Sequence, residues 1–419
     1  MSGSAGGDRD FRLYWIGLAI NSLGSQVSLL ALPLIAVVLL NADANQMGIL
    51  TAVGYVPFIL VGLQAGVWVD RMRRRPLLIW SNLLSAGLLL TIPLAAVLDY
   101  LRIEHLYVLA LLIGGIHVVS DVAEQSFLPS LVERSRLQAA NARLSGSDSV
   151  AQIIGPSVAG VLIQVLTAPI AILLDAVSFV VSALLLSGMR TAEPPPLPDE
   201  ERRNTRGLIM EGLRHVTSHR LLRPIFSCGA MHNFSRRMIE ALFILYAVDQ
   251  LGFDPIALGI VFAAGGPASL LGAVIAVPLA RRIGVGPTIA WMQVLTGIAC
   301  LAAPLASGPE WMTIGLLALG QALLGIARPV FNIAQLSLRQ AITPERLQGR
   351  VNATMRFIMW GVTPFGALAG GLLGASIGLR QTLFVAAIGV LAAAIWIVRS
   401  PVIALRELPP LPADGSVAA

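Results

Sequence analysis

From Leu106 to Leu128 the chain reads LYVLALLIGGIHVVSDVAEQSFL. The run has the length and apolar content of a membrane-crossing helix, yet it carries three ionisable side chains, His117, Asp121 and Glu124. At 3.6 residues per turn they fall at about 0°, 40° and 340°, a single polar stripe on an otherwise apolar cylinder. A charged group at mid-membrane costs roughly 2.5 to 3.5 kcal/mol on insertion scales. Three on one face therefore imply a polar cavity or buried partners.

The rest of the chain is built on the same plan. Of its 419 residues 56% are apolar and 12% charged, and the mean hydropathy is +0.78. That is too apolar for a soluble globular protein. Twelve apolar runs of membrane-crossing length follow one another: 13–40, 46–69, 77–98, 106–128, 146–166, 168–189, 222–250, 256–280, 286–306, 311–338, 350–376 and 380–398. None shows the alternation of a barrel strand, so the expected fold is an all-α membrane protein with twelve transmembrane helices.

All 29 basic residues are arginine. With the N-terminus inside, 23 of them fall in cytoplasmic tails and connections, among them Arg71, Arg73, Arg74 and Arg75, and only Arg102 and Arg380 on the other side. The positive-inside rule then places both termini in the cytoplasm. The net charge of +6 is thus a matter of topology. Nucleic-acid binding, which needs a clustered basic face, is not expected. Cys228 and Cys300 lie in separate apolar runs and read as small buried side chains. Met1 to Asp10 with the run after it fits a retained first helix better than a cleaved signal.

Residues 191–221 begin with Glu193-Pro194-Pro195-Pro196 and place Ile209, Leu213 and Val216 at helical spacing. They read as a cytoplasmic linker ending in an amphipathic helix on the membrane surface. The linker separates six spans in residues 1–190 from six in 222–400, and 401–419 reads as a disordered tail. A shift of 210 residues pairs Pro57 with Pro267, Gly62 with Gly272, Arg71 with Arg281, Gln125 with Gln335 and Gly160 with Gly370. Two six-helix bundles related by a pseudo-two-fold axis are expected, the layout of a transporter.

The connection after span two, Gly66-Val67-Trp68-Val69-Asp70-Arg71-Met72-Arg73-Arg74-Arg75, resembles the Gly-x-x-x-Asp-Arg-x-Gly-Arg-Arg loop of the major facilitator superfamily, with Arg73 in place of the second glycine. The resemblance implies a gating loop of Gly66, Asp70, Arg71, Arg74 and Arg75, in which Asp70 forms a charged latch; a plain topology anchor is the alternative. Span five holds Gly155-Pro156-Ser157-Val158-Ala159-Gly160, which resembles the superfamily's antiporter motif. That likeness implies export by antiport; the alternative is close packing through small residues at Gly155, Pro156 and Gly160. Ala123 to Val132 with Asp175-Ala176-Val177-Ser178-Phe179 is similar to the branch of macrolide-efflux and enterobactin exporters.

In that superfamily spans one, four, seven and ten line the cavity. Here they carry Asn21, Ser25 and Gln26; His117, Asp121 and Glu124; His232, Arg236, Arg237 and Glu240; and Gln321, Arg328 and Asn332. Spans three, six and nine offer chiefly Asn82, Asp175 and Gln293. Arg236 and Glu240 are spaced to pair on one helix, while Arg237 points about 100° away and is expected to need a partner elsewhere. Arg328 and Arg356 are the cations expected opposite Asp121 and Glu124. These two carboxylates are the expected proton carriers, with fixed structural partners and direct substrate ligands as alternatives.

There is no Walker loop, His-Glu-x-x-His or Gly-x-Ser-x-Gly motif, so no catalytic site, metal or cofactor is expected. The leading reading is a monomeric, proton-coupled exporter of amphipathic small molecules, such as antibiotics or siderophores, in a bacterial inner membrane. Its partners are then substrate, protons and the lipid bilayer. A facilitator or importer of a small polar nutrient, and a transport-inactive sensor on the same fold, are the other two readings.

Overall fold

The computed structural model describes residues 4–190, 213–214, 216–343 and 345–409. The proline segment and most of the linker, including Ile209, lie outside the described residues, as do 410–419 of the tail and the side chains of Asp70 and Arg356.

Among the described residues the chain is helical, without strands. Ten helical stretches are long and apolar enough to cross a membrane, including Ile103–Leu131, the span of the opening sequence. The second expected span is the shorter apolar helix Ala44–Leu60, continued after a break at Val61 by Gly62–Asp70. The seventh, Leu222–Asp249, has the length but not the apolarity, because Arg236, Arg237 and Glu240 interrupt it. Its polar row is the reason it differs from the other spans.

Helix starts repeat with the sequence. Asp43 caps Ala44–Leu60, its Oδ1 accepting from the Gln46 amide at 2.8 Å while Gln46 Oε1 accepts from the Asp43 amide at 3.0 Å. Asp254, 211 residues on, accepts from the Ala257 amide at 2.7 Å and starts Pro255–Ala263. Span one ends differently: beyond Pro33 the helix widens into π-helical turns over Ile35–Leu39.

The residues form two compact units. Unit 1 is Met1–Gln46, Val53–Arg202 and Ala247–Ala263, and unit 2 is Met47–Ala52, Arg203–Tyr246 and Ala264–Ala419. Inside unit 1, spans five and eight cross on bare backbone. A Cβ on Gly160 would stand 2.5 Å from the Pro255 carbonyl oxygen, and one on Gly259 would stand 2.8 Å from that of Pro156. Inside unit 2 the same device recurs at Gly48, where a Cβ would stand 2.8 Å from Gly371 Cα. Lipid gives apolar side chains no preference for one another over acyl chains, so such close backbone packing is what holds membrane helices together.

An apolar cluster in unit 2 gathers Val216, Leu222, Ile225, Leu338, Met355 and Ile397, all fully buried or nearly so. Val216, one of the apolar positions of the linker, is therefore buried in the protein's own core.

Candidate functional site

Unit 1 contains a cavity of about 210 Å³. Span one contributes Asn21, Ser22, Ser25 and Gln26, span four contributes His117, Ser120, Asp121 and Glu124, and Asn82, Ser85, Asp148 and Phe179 close it from spans three, five and six. The stripe at His117, Asp121 and Glu124 thus faces a common polar space rather than lipid. Among the described residues its lining includes three carboxylates and no arginine.

The walls are held by direct contacts. Ser22 donates to Asp148 Oδ1 at 3.3 Å, and Gln152 Nε2 donates to Oδ2 at 2.7 Å. The His117 and Phe179 rings lie 6.5 Å apart. Behind Glu124, the Tyr14 hydroxyl donates to its backbone carbonyl at 3.4 Å, and Tyr14 stacks edge-on against Phe127 at 5.5 Å. Gln26 lies over Gly155: a Cβ there would stand 2.6 Å from Gln26 Cβ and would overlap its Cγ. The glycine of the Gly-Pro motif therefore leaves room for a polar side chain of span one.

Unit 2 gathers the opposite charge. Arg236 Nε donates to Glu240 Oε1 at 3.0 Å, and Arg237 Nη1 donates to Glu240 Oε2. Arg237, expected to need a partner elsewhere, reaches Glu240 on its own helix, because positions i+3 and i+4 both come within reach on one helix face. Its guanidinium also lies 5.8 Å from the Trp360 ring centroid. Arg328 is within electrostatic reach of all three. His232 Nδ1 is 3.1 Å from Gln293 Nε2, which donates to the Val390 carbonyl at 2.8 Å.

Asn82, Asp175 and Gln293, the few polar groups of spans three, six and nine, all turn inward. Asp148 and Asp175 were not among the expected site residues. Asp148 stands in the polar stretch Ser145-Gly146-Ser147-Asp148-Ser149, two helical turns before the Gly-Pro motif, and that stretch is the signal in the sequence.

The residues of the loop after span two have separate fates. Among the described residues nothing stands within 4 Å of a Cβ placed on Gly66. Arg75 donates from Nε to the Leu186 carbonyl at 2.8 Å and from Nη2 to that of Ser187 at 2.5 Å, capping the end of span six. It ties the start of span three to the end of Ala168–Ser187. Cys228 and Cys300 are free and buried, and Cys300 Sγ is 3.8 Å from Arg236 Nη1.

The family model described as transmembrane secretion effector matches residues 7–413. The multidrug efflux pump Tap of Mycobacterium tuberculosis (strain ATCC 25618 / H37Rv) is 27% identical over 401 residues, covering 92% of this chain and 91% of that protein. Macrolide efflux protein A of Streptococcus pyogenes is 24% identical over 257 residues, 60% of this chain and 62% of that one. In fold, the chain is similar to a bacterial homologue of the iron transporter ferroportin in its inward-facing state, with TM-score 0.70, 18% identity and coverage of 93% and 98%. It is also similar to the nucleoside transporter NupG, with TM-score 0.69, 12% identity and the same two coverages.

Proposed function

The chain belongs to the transmembrane secretion effector family of the major facilitator superfamily, and from that membership we propose that it is a proton-coupled exporter of amphipathic small molecules, such as antibiotics or siderophores, working by alternating access. It is a multi-pass membrane transporter with the major facilitator fold. In the reading proposed here it acts as a monomer in a bacterial inner membrane with both termini cytoplasmic, and exchanges protons for substrate.

The observation that carries the reading is the size and chemistry of the unit 1 cavity. Drug-sized pockets run to about 300–1,000 Å³, so 210 Å³ is small for an antibiotic. At roughly 30 Å³ per water it holds a handful of waters among hydroxyls, amides and carboxylates. Such a chamber suits proton exchange. A carboxylate moved between wet and dry surroundings changes its hold on a proton, and in this reading Asp121 and Glu124 are the groups that do so. Names of relatives support the outward direction, since two of them are efflux proteins.

Asp70 as a latch, and Arg328 and Arg356 as partners of the span-four carboxylates, belong to the same proposal. The polar lining also favours a second reading, a facilitator or importer of a small polar solute. Everted vesicles expressing the protein distinguish them with a panel of dyes and antibiotics. Uptake that collapses on adding a protonophore supports the exporter, and equilibration indifferent to the gradient contradicts it.

A further inference from the structure

Span six carries a carboxylate for which the exporter reading has no use. Asp175 is 2% exposed, and among the described residues its partners are hydroxyls, with no arginine or histidine paired to it. Ser28 donates to Oδ2, and the Ser25 side chain lies beside the carboxyl group. Span one is pressed against the group at Gly24, where a Cβ would stand 2.7 Å from Asp175 Oδ1.

Hydroxyls alone hold this carboxyl group in a membrane-crossing helix, and an ionised carboxylate there would carry its charge without a cation beside it. Ser178 has one hydroxyl hydrogen and three oxygens in reach: the Asp175 carbonyl at 2.7 Å, Asp175 Oδ1 at 3.2 Å and Asn21 Oδ1 at 3.4 Å. The carbonyl one turn back, at the shortest distance, takes it. Turning over the Asn21 amide supplies the third contact. A hydrogen on Oδ1 donated to Ser178 Oγ satisfies the 3.2 Å contact while the Ser178 hydroxyl keeps the shorter bond to the carbonyl, and it leaves no charge in the membrane.

We propose that Asp175 is a proton-binding site, holding a proton on Oδ1 toward Ser178 and exchanging it with the cavity past Asn21 and Ser25, which border both. On release the Oδ1–H bond breaks, the proton passes to cavity water and the Glu124 or Asp121 carboxylate, and the Ser178 hydroxyl swings from the carbonyl to Oδ1. The ionisable groups of the adjoining cavities are Tyr14, His117, Asp121, Glu124 and Asp148, and Arg75 bonds to the far end of span six. A role in coupling rests on the exporter reading; proton binding itself does not.

Infrared spectroscopy of the purified full-length protein at neutral pH tests it. The expected result is a neutral carboxylic-acid C=O band, shifted in D2O, that persists in the Asp121→Asn/Glu124→Gln double variant and disappears in Asp175→Asn. Ser178→Ala, which removes the acceptor while keeping the carboxyl, shifts the band if Asp175→Asn does not fold. A wild type without the band, or a band that neither folded Asp175→Asn nor Ser178→Ala alters, overturns the proposal. The band is read without transport, so it decides this site even where flux ignores a proton gradient.

Discussion

Gln26 of span one rests on Gly155 of span five, so close that a Cβ on the glycine would overlap Gln26 Cγ. Gln26 also lines the cavity. Gly155→Ala therefore forces Gln26 aside, and overpacking of this kind costs about 1–3 kcal/mol. The melting temperature of the purified variant is expected to fall, and Gln26→Ala in the same background to recover part of the loss.

Gly160 faces backbone, which cannot rotate away as a side chain can. Gly160→Ala, with its Cβ 2.5 Å from the Pro255 carbonyl oxygen, is expected to lower the melting temperature more than Gly155→Ala. Gly87, inside Arg74–Val97, has nothing within 4 Å of a Cβ. Gly87→Ala should stabilise, by about 0.5–1 kcal/mol of helix propensity. Thermal unfolding of the three variants side by side checks the order.

Glu240 holds two guanidiniums, and its side chain is 27% exposed, against 13% for Arg236 and 16% for Arg237. Glu240→Gln strands both arginines near Arg328, and removing one partner of a buried pair costs about 3–5 kcal/mol. Arg237→Ala leaves the Arg236 bond in place and is expected to cost less. Equal losses from the two substitutions, measured by thermal unfolding, would remove the shared carboxylate from the account.

Arg75 acts on the last carbonyls of span six. Arg75→Ala is expected to cost about 0.3–1 kcal/mol, the range of a cation at a helix C-terminus. Faster hydrogen exchange at the last turn of Ala168–Ser187 is the local sign, with little change in the rest of unit 1.

Much of this was legible in the sequence because membrane helices announce themselves through length and polarity. The stripe at His117, Asp121 and Glu124 implies a polar cavity or buried partners from the cost of charge in lipid, and these residues line a cavity of unit 1 whose other walls come from spans one, three, five and six. The Gly-Pro motif predicted close packing, realised at Gly155 and Gly160. Arg237 was misjudged because an angle about the helix axis ignores how far a guanidinium reaches. Asp175 was passed over as a group of a peripheral span, since one carboxylate among apolar residues carries no periodic signal of its hydroxyl partners on span one. The loop arginines looked alike, and only the structure separates Arg75, which caps a helix.

In the proposed function, protons drive export through the span-four carboxylates. Purified protein in proteoliposomes, given an imposed pH gradient and a dye that cells expressing it expel, measures this as the accumulation ratio. The expected result is accumulation above equilibrium that needs the gradient and is lost in Asp121→Asn or Glu124→Gln, with downhill flux kept in those variants. An accumulation ratio unchanged by either substitution, or one indifferent to the gradient in the wild type, would contradict it.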